Sequence, residues 1–311
     1  MFLEKRKSGK NIKYYLVNSF RDNGDVVKIR RYLGQNLSKE EIRLKRKKVE
    51  KYIKDQIKNY QEIRDPLKTV LSNEELKQLD NLEKKYDFKI YHLSEKQWLQ
   101  FSQLFSYNTN AIEGSTLTFN EVKDLIGSNK TPKKSLSDVH ESKGVVEAIN
   151  YIRATKTIIS LSFLKKIHHI VFEDTKSFAA KFREKGMEVV IGDSFGNIVH
   201  RGADSSKVET LLKELVKWYN KNKNKYSPIL LAAVIHNQFE NIHPFQDGNG
   251  RVGRILMNNI LIKHGLPPVD IEFNRRQEYY GALRVYQNEG NIRPIIELIL
   301  KEYKLLRKRI R

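Results

Sequence analysis

Two kinds of hydrophobic patterning divide the chain. Residues 11–34, "NIKYYLVNSFRDNGDVVKIRRYLG", carry Tyr, Val and Ile on both sides of Asp22-Asn23-Gly24-Asp25. Asn-Gly accepts the positive φ values of a tight turn, so the segment predicts two antiparallel strands. Helical punctuation follows. Ser38 and Glu41 have the spacing of a capping box, which recurs at Ser72/Glu75, Ser94/Gln97, Thr118/Glu121 and Ser206/Glu209, so most of the chain is predicted helical. Residues 187–200, "MEVVIGDSFGNIVH", interrupt the helices with short β-rich runs around a Gly/Asp/Ser/Asn turn, a second hairpin. The most apolar helix, "SPILLAAVIHNQFENIH", opens at Ser227-Pro228 with proline in the first helical position. Pro244 disfavours the α conformation at His243 and stops it there. A further helix is predicted from about Asn249 to His264, ended by Gly265 and Pro267-Pro268. The class expected is mainly α with two small hairpins.

Length and composition narrow this picture. A chain of 311 residues can bury a proper core, as one large domain with appendages or as two domains. It has no cysteine, so neither disulfides nor thiolate zinc sites hold it, and the cytoplasm is the expected address. There is no run of 18 apolar residues, and "MFLEKRKSGKNIK" lacks the apolar centre of a secretory signal. No membrane role is therefore expected. The net charge is +21, and residues 1–70 hold 20 basic against 9 acidic side chains, more than half of the excess. A second basic concentration closes the chain, "KEYKLLRKRIR". Such an excess attracts polyanions such as nucleic acid, acidic lipid or an acidic protein surface, and it equally describes a solvated, Lys-rich helix face.

The chemistry concentrates in "NIHPFQDGNGRVGR", residues 241–254. Gly248, Asn249 and Gly250 stand at the head of a predicted helix, where glycines let a ligand approach and unpaired N–H groups attract phosphate. Arg251 and Arg254 are three apart, hence on one face of the first turn and a half, and can fork onto further phosphate oxygens. Asp247 offers the hard oxygen that Mg²⁺ takes when phosphates and water complete its shell. His243 has the side chain suited to accept a hydroxyl proton near neutral pH. Together these residues suggest transfer from a nucleoside triphosphate to an acceptor hydroxyl. A competing pattern is His236, Glu240 and His243 at i, i+4 and i+7, one face that could ligate a transition metal. Pro244 turns His243 away from that face. The adjacent His168 and His169 point in different directions and are read as structural.

At these residues the chain resembles the Fic family, whose signature His-x-Phe-x-(Asp/Glu)-Gly-Asn-Gly-Arg-x-x-Arg is met at every fixed position by "HPFQDGNGRVGR". The resemblance covers roughly residues 92–303. It implies a Fic-type helical core in which the hairpin at 187–200 serves as a flap over a target segment. It also implies protein adenylyltransferase activity: AMP passes from ATP to a Ser, Thr or Tyr hydroxyl of a protein, the chain itself among the possible targets. In that scheme His243 is the base and Asp247 holds Mg²⁺, with Mn²⁺ as the alternative. Gly248, Asn249, Gly250 and Arg251 cradle the phosphates, and Arg254 grips the γ-phosphate. Within "RRQEYYGALRVYQNEG", Tyr280 and Asn288 match the family's adenosine side. The stretch "TNAIEG", Thr109–Gly114, resembles the family's inhibitory motif, on a helix expected near residues 105–114. Its Glu113 would pair with Arg254 and block productive ATP binding. In some relatives the same Glu serves AMP removal, so a bifunctional or mainly de-AMPylating enzyme is the alternative.

The domain reading is a hairpin module at 1–36, a basic helical region at 37–91, the Fic-like domain at 92–303 and a basic tail at 304–311. Nucleic acid or an acidic partner is expected to engage residues 1–70, as an alternative in which that region makes the functional contacts. A homodimer is left open.

Overall fold

The computed structural model describes all residues except 23–24, 65, 68, 70, 86–92, 193–197 and 311. It separates into two compact units, residues 1–62 and 63–311.

In the first unit, strands β1 (Phe2–Ser8), β2 (Asn11–Asp22) and β3 (Asp25–Gln35) form an antiparallel sheet in chain order. One face packs on helix α1 (Lys39–Arg64) through Leu16, Ile29, Leu33, Tyr52 and Ile53. The predicted hairpin is thus β2 and β3; its turn residues Asn23 and Gly24 lie outside the described residues, and Asp22 pairs with Asp25 on either side of them. Strand β1 is an addition to the sequence reading. It contributes Leu3 to the core, while four of its seven residues are charged, so no apolar alternation announces it.

The second unit is helical: α2 (Asn73–Lys85), α3 (Glu95–Ile112), α4 (Phe119–Gly127), α5 (Leu136–Ala154), α6 (Leu161–Phe172), α7 (Val208–Asn222), α8 (Pro228–Ile242), α9 (Asn249–Lys263), α10 (Arg276–Glu289) and α11 (Arg293–Ile310). Strands β4 (Val190–Gly192) and β5 (Ile198–Arg201) pair antiparallel between α6 and α7. They are the predicted second hairpin, whose turn at 193–197 lies outside the described residues, as does the 91/92 boundary drawn from sequence. Residues 304–310 continue α11.

Four of the five predicted capping boxes form, at Ser38/Glu41, Ser72/Glu75, Ser94/Gln97 and Thr118/Glu121. The fifth does not. The Asp204 carboxylate accepts from both the N–H and the hydroxyl of Ser206 at 2.9 and 2.6 Å, drawing Ser205–Lys207 into a short 3₁₀ turn ahead of α7. An Asx turn of this kind competes for the donors that a capping box needs.

Helices α8 and α9 form the centre. From Ile229 to Ile242 every residue of α8 is buried, and α9 is buried except at Gly250 and Lys263. A helix buried on all sides can carry polar groups only where neighbours satisfy them. Buried polar residues gather where the end of α8 meets the start of α9, among them His236, Glu240, Asn241, Asn249, Arg251 and Arg254. Among the described residues no helix is long and apolar enough to cross a membrane.

Candidate active site

Ser227 caps α8 by accepting from the Leu230 N–H at 3.3 Å, with Pro228 in the first turn. At the other end His243 adopts a left-handed conformation (φ 51°, ψ 62°) and throws the chain out of the helix. That conformation costs a non-glycine residue about 1 kcal/mol and must be held from outside. Arg183 does so. Its Nε donates to the His243 carbonyl (2.6 Å), its Nη1 to Met187 (2.8 Å), and its Nη2 to Ile242 (3.2 Å) and to the Ala203 carbonyl, while its backbone N–H donates to Pro244 (2.9 Å). This buried guanidinium is spread over four carbonyls. Sequence reasoning missed it, for nothing local in "AAKFREKG" marks it. Arg183→Ala is expected to cost on the order of 3 kcal/mol, because it strands buried acceptors. Urea denaturation measures this, and a loss below about 1 kcal/mol would refute the bracing role.

The loop after His243 is clamped from two sides. The Asn249 side chain accepts from the Phe245 N–H (2.8 Å) and donates to the Phe245 carbonyl (2.9 Å). His168 stacks on Phe245 at 3.9 Å and accepts from the Ala180 N–H through Nδ1 at 3.1 Å. Its Nε2 therefore carries the hydrogen and donates to the Asp247 carbonyl at 3.1 Å. The structural reading of His168 thus acquires a specific content.

Gly248 caps α9 at φ 81°, and a Cβ there would collide with the Phe172 ring. Only glycine meets both conditions. Helix α9 has no side-chain cap, and the N–H groups of a first helical turn lack intrahelical acceptors, an arrangement that suits an anion. At Gly250 an added Cβ would collide with the Glu113 carboxylate, which lies against the opening turn of α9. Glu113 Oε1 accepts from Arg254 Nη2 at 2.8 Å. Arg254 is 1 % exposed and also donates to the Thr109 hydroxyl (2.8 Å), the Thr109 carbonyl (3.0 Å) and the Tyr279 hydroxyl (3.4 Å). Arg251 points elsewhere. Its guanidinium pairs with the buried Glu141, reaches Asn110 at 3.3 Å and lies over the Phe172 ring at 4.5 Å. The two arginines that share a turn of helix therefore meet different partners.

Asp247 is 46 % exposed at the side chain and forms an ion pair with Lys176 at 3.0 Å. Burial pushes its carboxyl up, but the Lys176 ammonium, Arg251 and the Gly248 N–H outweigh that and hold it below the ordinary range. One half-open carboxylate suits Mg²⁺ held mostly by phosphate oxygens and water, and among the described residues no group of three or more His, Cys, Asp or Glu could enclose a metal by itself. The His236–Glu240–His243 pattern gives no shared ligand face. His236 Nε2 is 2.9 Å from the Tyr279 hydroxyl, and the left-handed turn takes His243 off the helix, its Nδ1 3.9 Å from the Glu240 carboxylate.

His243 is largely buried. Burial pulls its pKa down to about 4, with the Arg183 charge acting in the same direction. Its Nδ1 lies 3.2 Å from the Glu240 carbonyl, an acceptor, so Nδ1 bears the hydrogen and Nε2 keeps its lone pair. Strand β5 closes on this residue. His200 Nε2 donates to the Asn241 carbonyl at 3.2 Å, and a Cβ at Gly202 would come within 2.9 Å of the His243 Cβ.

Tyr280 and Asn288 part company. The Tyr280 hydroxyl donates to the Ile112 carbonyl at 3.0 Å, next to Glu113. Asn288 is exposed two turns further along α10, about 12 Å by helical rise. Besides Arg183, the residues that the sequence did not single out include Glu141, Lys176, His200 and Tyr279; each reaches the site from another helix, strand or loop.

Residues 158–261 match the Fic/DOC family. It is 32 % identical over 201 residues to Protein adenylyltransferase Fic of Nematostella vectensis, covering 63 % of this chain and 45 % of that one. It is 28 % identical over 245 residues to Protein adenylyltransferase fic-1 of Caenorhabditis briggsae, covering 76 % and 47 %. The chain thus spans less than half the length of these relatives. Among solved structures, a Fic-1 fragment of Caenorhabditis elegans superposes with a TM-score of 0.61 at 28 % identity, covering 75 % of this chain and 69 % of that chain. A Fic-domain signalling protein of Bacteroides thetaiotaomicron gives a TM-score of 0.60 at 25 % identity, covering 73 % and 91 %.

Proposed function

We propose that the chain transfers AMP from ATP to a Ser, Thr or Tyr hydroxyl of a protein and is restrained by Glu113. The observation that carries the reading is the juxtaposition of a neutral, buried His243 with the uncapped N-terminus of α9 and the buried Arg254. In the step, the acceptor oxygen bonds to the α-phosphorus and the bond from that phosphorus to the oxygen leading to the β-phosphate breaks. Pyrophosphate leaves with the electron pair, and the hydroxyl proton passes to His243 Nε2. The N–H groups of the first turn of α9 receive phosphate oxygens, and Arg254 takes the outermost phosphate once Glu113 withdraws. Asp247 would hold Mg²⁺, which when bound neutralises phosphate charge. The paired strands β4 and β5, which reach His243 through Gly202, suit a target segment added as a further strand. The resemblance to relatives named protein adenylyltransferase supports the same chemistry.

The donor is tested with ATP labelled at either end. Label on the α-phosphate is expected to stay on protein and label on the γ-phosphate to leave; retention of γ-label would replace AMP transfer with phosphorylation. A hydrolytic reading of the same site draws on Glu113 being 29 % exposed at the side chain, hence open to water. It requires that Glu113→Gly lose AMP removal from a modified protein.

A further inference from the structure

The sheet of the first unit has two unlike faces. Cross-strand partners share a face, and the register sets Leu3 opposite Leu16 and Asn18 opposite Ile29 on the side of α1. On the other side Phe2 pairs with Val17, Arg6 with Lys13, Ser19 with Lys28, and Tyr15 with both Glu4 and Tyr32. Among the described side chains, that outer face carries Arg6, Lys13, Arg21, Lys28 and Arg30 against one carboxylate, Glu4, which is bonded to Arg6 (2.7 Å) and to Arg30 (3.0 Å). Aromatic rings stand among the cations. Phe2 and Tyr32 are each 49 % exposed, Tyr15 packs on Tyr32 at 5.3 Å, and Arg6 and Arg30 lie over the Tyr15 ring at 5.7 and 5.9 Å. These rings alternate with charge along neighbouring strands.

We propose that this outer face binds single-stranded nucleic acid, its cations tracking the phosphates and Phe2 and Tyr32 stacking on bases. Charge complementarity selects a polyanion. The half-open rings select one whose bases are unstacked, since a duplex keeps its base faces covered. Helix α1 is a weaker candidate for the same ligand: it is also basic, but Arg43 and Arg46 are met by Glu40 and Glu50 at 2.9 and 2.7 Å, and its exposed side offers Leu44 rather than rings. The inference goes beyond the AMP-transfer reading and does not rest on it.

Fluorescence anisotropy of the full chain with labelled 20-nucleotide oligo-dT, oligo-U and a duplex of equal length tests it. Binding of a single strand, tighter than binding of the duplex, is expected, and the dT and U arms tell DNA from RNA. Phe2→Ala with Tyr32→Ala should weaken it on the order of tenfold or more, while Tyr32→Phe, which keeps the ring, should bind as wild type. Arg21→Gln with Lys28→Gln should flatten the log–log salt slope by roughly 1.4. Lys47→Gln with Lys48→Gln on α1 should change affinity less than the sheet variants do. Both rings are half exposed and lie outside the apolar cluster between the sheet and α1, so the variant is expected to fold, which circular dichroism checks. No binding at low salt, tighter binding of the duplex, or sheet variants that bind like wild type would each overturn the proposal.

Discussion

Replacing Glu113 by glycine is expected to raise AMP incorporation from α-labelled ATP by roughly 10- to 100-fold, the equivalent of one charge-assisted hydrogen bond of about 1.5–3 kcal/mol. The carboxylate does two things at once. It accepts from Arg254 Nη2, and it lies against Gly250, where a phosphate entering the opening turn of α9 would rest. A phosphate must therefore displace it from both a cation and a space, and an anion already at a helix N-terminus repels the next one. Removing the side chain does not orphan the arginine, because the Thr109 hydroxyl and carbonyl still accept from it, so the variant should fold normally. Glu113→Gln separates charge from space: it fills the same volume with a weaker hold on Arg254 and should fall between wild type and glycine. Equal labelling by all three proteins, with nucleotide affinity unchanged by calorimetry, would remove Glu113 from the control of the site.

Legibility followed distance along the chain. The turn between α8 and α9 is written locally: Pro244 ends one helix, Gly248 begins the next, and the structure has both ends within a residue of the predicted places. Capping boxes read well for the same reason, except where Asp204, two residues upstream of Ser206, offered a closer acceptor. Strand β1 left no signal because its pairing is a matter of backbone, while its side chains are mostly charged. The companions of the site were the least visible. Arg183, Glu141, Lys176, His168 and Tyr279 act through contacts spanning 25 to 110 residues of sequence, and periodicity carries no information at that range. The divergence of Arg251 and Arg254 was hidden likewise: three residues of helix put them on one side, but Glu141 and Glu113, arriving from different helices, draw them apart.

In a Glu113→Gly background, His243→Ala is expected to lower AMP transfer by about 10²- to 10⁴-fold, the usual contribution of a positioned general base. Nucleotide should still bind, since the first turn of α9 and Arg254 do not depend on the imidazole for any hydrogen bond. The pH profile separates this role from a merely structural one. Burial depresses the His243 pKa to about 4, so the imidazole is in its basic form at every pH well above that value. Transfer, followed as kcat/KM, should then be level from about pH 7, below the range where the neighbouring Glu240 carboxyl ionises because burial pushes it up to about 8, down to about pH 5, and fall tenfold per unit below about 4. With Glu113 absent and the Asp247 carboxyl held below its ordinary range, the upper part of that limb belongs to the histidine. A limb centred near 6.5 would mean that the working imidazole is hydrated like a free one, and that the burial imposed by Arg183, His200 and the left-handed turn does not persist in the active enzyme. Such a result would leave the base in place but take away the environment from which its neutrality was derived. Retention of near wild-type transfer by the alanine variant would remove the base itself.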